Sequence, residues 1–159
     1  MALYLLDTDT LTLLQANHPE VIRRFETAAT GEVVTSVITV EEVLTGWYNI
    51  ARIANKPQTI ERTYGELADA VAFYNGLPIL NFIIAAVTEY DRLKSLKLNV
   101  GKNDLRIASI ALVNHAIVVT RNASKDFRSK IGLSLCLQHH LDPPPLHRPL
   151  SLPLHDLQS

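Results

Sequence analysis

Short apolar runs that end at polar residues recur along the chain and predict its strands. They lie at residues 3–6, 32–37, 79–82 and 116–120, and the second is rich in β-branched side chains. Such runs are typical of strands buried on both faces of a parallel sheet. Between them, apolar residues at every third or fourth position predict helices over residues 10–16, 19–29, 39–50, 57–74, 84–96 and 103–115. Strands that alternate with helices favour parallel pairing, so we expect a three-layer α/β/α fold with a mainly parallel sheet of four or five strands.

Two of the predicted helices carry additional local signals. Thr39 and Glu42 have the spacing of a capping box, which predicts that a helix begins at Thr39. The helix over residues 57–74 has an apolar stripe formed by Ile60, Tyr64, Leu67, Val71 and Tyr74. This stripe either packs into the core or, together with Trp47 and Tyr48, offers an apolar surface to a partner helix or a second subunit.

The composition favours one domain followed by an unusual tail. With 159 residues, 47% of them apolar, the chain is long enough for one well-buried core and short for two ordinary domains. Residues 136–159 contain five of the eight prolines, a density that excludes a regular helix or a central strand. We therefore expect a folded domain over residues 1–135 and a poorly ordered or surface-draped tail over residues 136–159. Four tail histidines are alternative metal ligands: His139, His140, His147 and His155.

Cysteine content and hydropathy narrow the choice of compartment. Cys136 is the single cysteine, which excludes an intrachain disulfide and a cysteine-rich zinc site. No apolar run approaches the roughly 20 residues needed to span a bilayer. The N-terminus lacks the basic start and the small-residue cleavage site of a secretory signal. These features predict a cytoplasmic protein without a membrane partner.

The net charge of −1 hides an uneven distribution. Residues 1–90 carry five Lys and Arg against eleven Asp and Glu, whereas residues 91–130 carry nine against three. This basic stretch either binds a polyanion or forms a solvated helix face. Its members are Arg92, Lys94, Lys97, Lys102, Arg106, Arg121, Lys125, Arg128 and Lys130.

Acidic and amide side chains follow the predicted strands or begin the helices between them. Asp7 follows the first strand, Glu42 lies one helical turn after the second, and Asp104 begins the helix before the fourth. Asn122 and Asp126 come after the fourth strand. Each has an alternative local role as a helix cap or turn residue. Because ligands bind at the carboxyl edge of such sheets, we expect these side chains to converge there. Converging carboxylates repel one another unless a cation lies between them, and an all-oxygen set favours Mg²⁺ or Mn²⁺ over zinc.

Four segments resemble the signature motifs of PIN-domain ribonucleases of the VapC toxin type. They are LLDTD (residues 5–9), SVITVEEVLTG (36–46), GKNDLRIA (101–108) and VTRN (119–122) followed by DF (126–127). Their order and spacing match the family over residues 3–135. The resemblance implies a PIN fold and Mg²⁺-dependent cleavage of RNA, either tRNA or ribosomal RNA. It also implies inhibition by a cognate VapB-type antitoxin encoded alongside the toxin, and a homodimer.

The same resemblance implies roles for individual residues. Asp7, Glu42 and Asp104 match the family's acidic triad, with Asp7 and Asp104 as the implied metal ligands and Glu42 as the residue that orients or deprotonates water. Asn122 matches a fourth position, and Asp126 matches the Asp-Phe pair that follows, with one extra residue before it.

The surroundings of the triad include nearby basic residues and two departures from the family. Lys102, Arg106 and Arg121 lie within a few residues of the implied ligands and are expected to hold the flanking phosphates. Asp9 stands where the family usually has asparagine, which adds negative charge beside the metal site. The tail also departs from the family, whose members finish soon after the point reached here at residue 135.

Two other functions compete with the nuclease. Asp7 and Asp9 also resemble the first motif of haloacid-dehalogenase-type phosphatases, in which one acid is a nucleophile and the other a general acid. The later glycine-and-double-aspartate motif of that class is missing from the sequence. The second alternative is a catalytically silent PIN-like module that binds RNA or a partner without cutting, and the unusual tail supports it.

Overall fold

A computed structural model describes residues 2–120 and the backbone of residues 135–137. In chain order its elements are β1 (Tyr4–Leu6), α1 (Thr8–Gln15), α2 (Pro19–Thr27), β2 (Val33–Ser36), α3 (Val37–Ile53), α4 (Pro57–Tyr74), β3 (Ile79–Leu80), α5 (Ile84–Ser95), α6 (Lys102–Val113), β4 (Ile117–Thr120) and β5 (Leu135–Leu137). Every helix and strand predicted from the sequence is present, with ends that differ by a few residues. Strand β5 crosses the domain boundary expected at residue 135.

The strands form one parallel sheet in the order β3-β2-β1-β4-β5 within the described part of the chain. Strand β1 pairs with β2 on one side and with β4 on the other, so the first strand lies at the centre of the sheet. The apolar composition of β1 and β4 fits this position, because side chains of a central strand are covered on both faces.

Alternate residues of the central strands pack into two apolar clusters, one on each face of the sheet. Leu5 and Val118 belong to the cluster that α5 and α6 cover. Leu6 and Val119 point the opposite way, into the cluster formed with α1, α2 and α4. Helices therefore cover both faces, and the expected three-layer α/β/α architecture is confirmed.

The N-terminus of α3 differs from the sequence prediction. The helix begins at Val37, and Ser36 is its N-cap, with the Ser36 hydroxyl accepting the backbone N–H of Thr39 at 3.1 Å. The predicted capping box with Thr39 at its start is wrong, because the strand-to-helix junction leaves no intervening loop. Glu42 therefore lies on the second turn of α3, and its carboxylate is not used for capping.

Helix α4 has the predicted bounds, but its buried face coincides only in part with the predicted apolar stripe. Thr63, Ala70 and Tyr74 are buried. Ile60 and Tyr64, in contrast, are 38% and 57% exposed. The small side chains of Thr63 and Ala70 face the rest of the domain and let α4 approach its neighbours closely. Part of the apolar stripe therefore faces solvent. The core therefore accounts for Tyr74 and part of Leu67, whereas Ile60, Tyr64 and Val71 remain on the surface.

Among the described residues, no helix combines the length and apolarity that a membrane crossing requires.

Candidate active site

An open cleft of about 600 Å³ lies at the carboxyl ends of β1 and β4. In the sheet, β2 lies on one side of β1 and β4 lies on the other side, so the direction of the strand order reverses at β1. Such a reversal leaves a crevice at the carboxyl edge of the sheet, because neighbouring connections leave in opposite directions. Five acids line this cleft: Asp7, Asp9, Glu41, Glu42 and Asp104. The predicted convergence of Asp7, Glu42 and Asp104 is therefore present in the structure.

Asp7 joins the end of β1 to the start of α1. Its Oδ1 accepts the backbone N–H of Thr10 at 2.8 Å, so Asp7 is the N-cap of α1. Burial raises the pKa of the Asp7 carboxyl, hydrogen bonds from Thr120 and Thr10 oppose this rise, and the charge of Asp9 adds to it. Capping and a place in the cleft are thus compatible, because the cap holds the carboxylate at the sheet edge.

Glu42 is held by hydrogen bonds to both of its carboxylate oxygens. The Nδ2 amide of Asn103, on α6, donates to Oε1 at 2.7 Å. The hydroxyl of Thr8, on α1, donates to Oε2. Residues from two other helices therefore set the orientation of this glutamate. Asn103 and Thr8 were not predicted as site residues, and their sequence positions next to Asp104 and Asp7 gave no indication of this partner.

Asp104 is the third residue of α6, and Gly101 is the N-cap. The prediction that Asn103 or Asp104 begins the helix is therefore wrong by one or two residues. The Asp104 carboxylate accepts the backbone N–H of Gly101, as an acid at this position of a capping box does. A Cβ on residue 101 would lie 2.8 Å from Asp104 Oδ2, so the glycine leaves room for the carboxylate. Partial burial and the negative charges of Glu42 and Asp7 raise the pKa of Asp104.

The donor set of the cleft suits a hard cation. Within residues 2–120 and 135–137, no three Asp, Glu, His or Cys side chains lie close enough together to hold one metal ion. Mg²⁺, however, is commonly bound by one or two carboxylates and several waters. The raised pKa values of Asp7 and Asp104 mean that their negative charges are poorly compensated by the protein alone. Their oxygens therefore fit a largely hydrated Mg²⁺ or Mn²⁺.

The basic residues near the cleft differ in their surroundings. Lys102 is exposed at the start of α6. The guanidinium of Arg106 turns inward: its Nη1 donates to Asn103 Oδ1 at 3.0 Å, and its Cζ lies 5.8 Å from the centroid of the Tyr90 ring. Three predicted site residues, Arg121, Asn122 and Asp126, lie outside the described part of the chain, as do the tail histidines.

Comparisons with known proteins identify the family of the chain. The PIN domain family matches residues 4–130. A chain of the DNA-bound VapBC structure from Salmonella typhimurium is similar at 27% identity and a TM-score of 0.67, over 85% of this chain and 97% of that chain. A chain of VapBC2 from Rickettsia felis, bound to a promoter DNA fragment, is similar at 25% identity and a TM-score of 0.64, over 86% and 98% of the two chains.

A further structure shows the same fold at lower identity. A chain of VapBC-1 from nontypeable Haemophilus influenzae is 23% identical, with a TM-score of 0.64, over 85% of this chain and 97% of that chain. No curated protein sequence matches this chain significantly. The family match spans most of the chain and includes Asp7, Glu42 and Asp104, which leaves the phosphatase alternative without support. The sequence match and the shared fold together show that the chain belongs to the PIN domain family.

Proposed function

We propose that the protein is a Mg²⁺-dependent endoribonuclease that acts as the toxin of a VapBC-type toxin-antitoxin system. The observation that carries this proposal is the meeting of Asp7, Glu42 and Asp104, from three separate elements, in one open cleft at the carboxyl edge of the sheet. The similarity to chains of two VapBC structures at 25% and 27% identity supports the assignment to a toxin.

The chemistry follows from the surroundings of each acid. Asp7 and Asp104 would hold the cation, which lowers the pKa of water and offsets charge that develops on a phosphodiester. Glu42 is oriented by Thr8 and Asn103 and would position the attacking water and accept its proton. Lys102, exposed at the start of α6, would contact a flanking phosphate.

The proposal includes the partners of the toxin. A cognate VapB-type antitoxin encoded alongside the toxin would inhibit it, and tRNA or ribosomal RNA is the expected substrate. The active form is expected to be a homodimer. Arg121, Asn122 and Asp126 remain predicted members of the site.

Cleavage of a mixed tRNA and ribosomal RNA pool tests the proposal. The protein, freed of any antitoxin, is assayed with Mg²⁺, with Mn²⁺ and with EDTA, alongside an Asp7→Asn variant. Asparagine is as good an N-cap as aspartate, so this variant removes the charge and keeps the start of α1. Asp69→Asn, an exposed substitution on α4 away from the cleft, is the matched control.

We expect metal-dependent cleavage by the wild type and by Asp69→Asn, and none by Asp7→Asn. A folded wild-type protein that leaves the RNA intact with either metal would favour the catalytically silent binding module instead. Full activity in Asp7→Asn would remove Asp7 from the site.

A further inference from the structure

A chain of polar contacts connects the interior of the α5–α6 pair with Glu42. The Asn103 amide makes two contacts in opposite directions: its Oδ1 accepts from Arg106 Nη1 at 3.0 Å, and its Nδ2 donates to Glu42 Oε1 at 2.7 Å. A guanidinium can only donate and a carboxylate can only accept. Arg106 therefore fixes which end of the Asn103 amide faces the glutamate.

The position of Arg106 is itself fixed from the other side. Its guanidinium lies over the ring of Tyr90, which in turn makes an edge contact with Phe82 at a centroid distance of 6.2 Å. Its Nε atom is buried and makes no hydrogen bond within the described part of the chain. Stacking on an aromatic ring and burial of Nε leave the guanidinium few alternative orientations. Arg106 thus differs from Lys102, which extends into solvent on the same helix.

We propose that Arg106 and Asn103 are positioning residues that hold the Glu42 carboxylate in its working orientation, and that Arg106 acts through Asn103 rather than on RNA. The inference rests on the role proposed above for Glu42. A positive charge on one side of the amide polarises it towards donation on the other side, so the contact with Glu42 is stronger than that of an isolated asparagine. Thr8 completes the arrangement from the opposite side by donating to the second oxygen.

From the sequence alone, Arg106 has another expected role, contact with a phosphate of the RNA. The two roles predict different kinetic effects when Arg106 is replaced. Removal of a phosphate contact weakens RNA binding, raises KM and reduces the dependence of binding on salt. Removal of a positioning residue leaves the substrate bound but misaligns the reacting groups, which lowers kcat. The two roles are therefore separable by steady-state kinetics at two salt concentrations.

A double-mutant cycle with Asn103→Ala, Arg106→Gln and the double variant tests the inference. We expect each single substitution to lower kcat roughly 10- to 100-fold, as loss of an outer partner of a metal site does, with KM within about 2-fold of the wild type. Because Arg106 acts through Asn103, the double variant should be no slower than Asn103→Ala alone. The same variants should keep the wild-type affinity for Mn²⁺, measured by calorimetry without RNA, within about 2-fold, because Asp7 and Asp104 are the proposed ligands and Glu42 acts on water.

Arg52→Gln is the matched control for the loss of a stacked arginine. The Arg52 Cζ atom lies 5.8 Å from the centroid of the Tyr48 ring on α3, the same distance as in the pair formed by Arg106 and Tyr90. The substitution removes the same charge and the same type of contact outside the chain that leads to Glu42. Its kcat and Mn²⁺ affinity should equal those of the wild type.

The outcomes separate this inference from the proposed function. A cleaving wild type with additive effects in the cycle, or with a raised KM and a reduced salt dependence in Arg106→Gln, would overturn the positioning role alone. A wild type that neither cuts RNA nor binds Mn²⁺ would overturn the proposed function and this inference together.

Discussion

Replacement of Asp104 by asparagine is expected to abolish cleavage and yet to stabilise the metal-free protein. Partial burial and the charges of Glu42 and Asp7 raise the pKa of Asp104 above its ordinary value of 3.8, although the Gly101 N–H opposes the rise. A raised pKa in the folded state means that stability is greatest while the group is protonated and falls as the pH rises through the folded-state pKa. At pH 7 the wild type therefore carries a penalty that the variant lacks.

The size of the effect follows from the groups that surround Asp104. Asparagine keeps an oxygen that accepts the Gly101 N–H, so the start of α6 is preserved. Repulsion between partly exposed charges is worth about 0.2–1 kcal/mol per pair, and two neighbours contribute. In the opposite direction, loss of a negative charge at the N-terminus of α6 lowers the free energy of unfolding by about 0.3–1 kcal/mol. Because the raised pKa fixes the sign of the balance, we expect a net gain of roughly 1 kcal/mol, or about 2–4 °C in Tm for a chain of this length.

Thermal unfolding in EDTA at pH 7 and at pH 4 measures this gain. It should be present at pH 7 and smaller at pH 4, because the raised pKa of Asp104 makes the folded wild type take up a proton more readily than the unfolded chain as the pH falls. Saturating Mg²⁺ should reverse the order, because a ligand at 100 times its Kd adds about 2.7 kcal/mol to the protein that binds it. A variant less stable than the wild type at pH 7 in EDTA, or a gain of equal size at both pH values, would refute the reasoning.

Four further substitutions, one of them a matched control, test the local structure. Gly101→Ala places a methyl group 2.8 Å from Asp104 Oδ2 and should lower the cleavage rate roughly 10-fold by displacing that carboxylate. Gly65→Ala, with open space around it on α4, should keep full activity and gain about 0.5–1 kcal/mol; equal activities in the two variants would contradict the displacement. Ser36→Ala removes the N-cap of α3 and should lower the unfolding free energy in urea by about 1 kcal/mol, whereas no change would mean that the cap is dispensable. Leu5→Ala, at a fully buried position of the central strand, should cost about 2–5 kcal/mol in the same assay, and a loss below about 1 kcal/mol would contradict the packing.

Much of the candidate site was predictable because its acids lie at the ends of elements. The apolar run of β1 stops at Asp7, and parallel strands bring such ends to one edge of the sheet. Glu42, on the second turn of α3, and Asp104, on the first turn of α6, line the same cleft. The helix starts were less accurate, since Ser36 and Gly101 are caps that only the path of the chain into each helix selects.

Local sequence was sufficient to predict helices α1 to α6, strands β1 to β4 and their parallel arrangement, whereas the edge strand β5 was not predicted. Helix α4 runs from Pro57 to Tyr74 as predicted, because proline favours a first helical turn and the helical period is a property of neighbouring residues. Long-range packing selected the face that this helix buries and the partners of Glu42. Asn103 is 61 residues away from Glu42 in the chain, and its neighbour Arg106 turns inward onto the ring of Tyr90. Contacts of this kind depend on how three helices meet in space, and no short-range pattern encodes that arrangement.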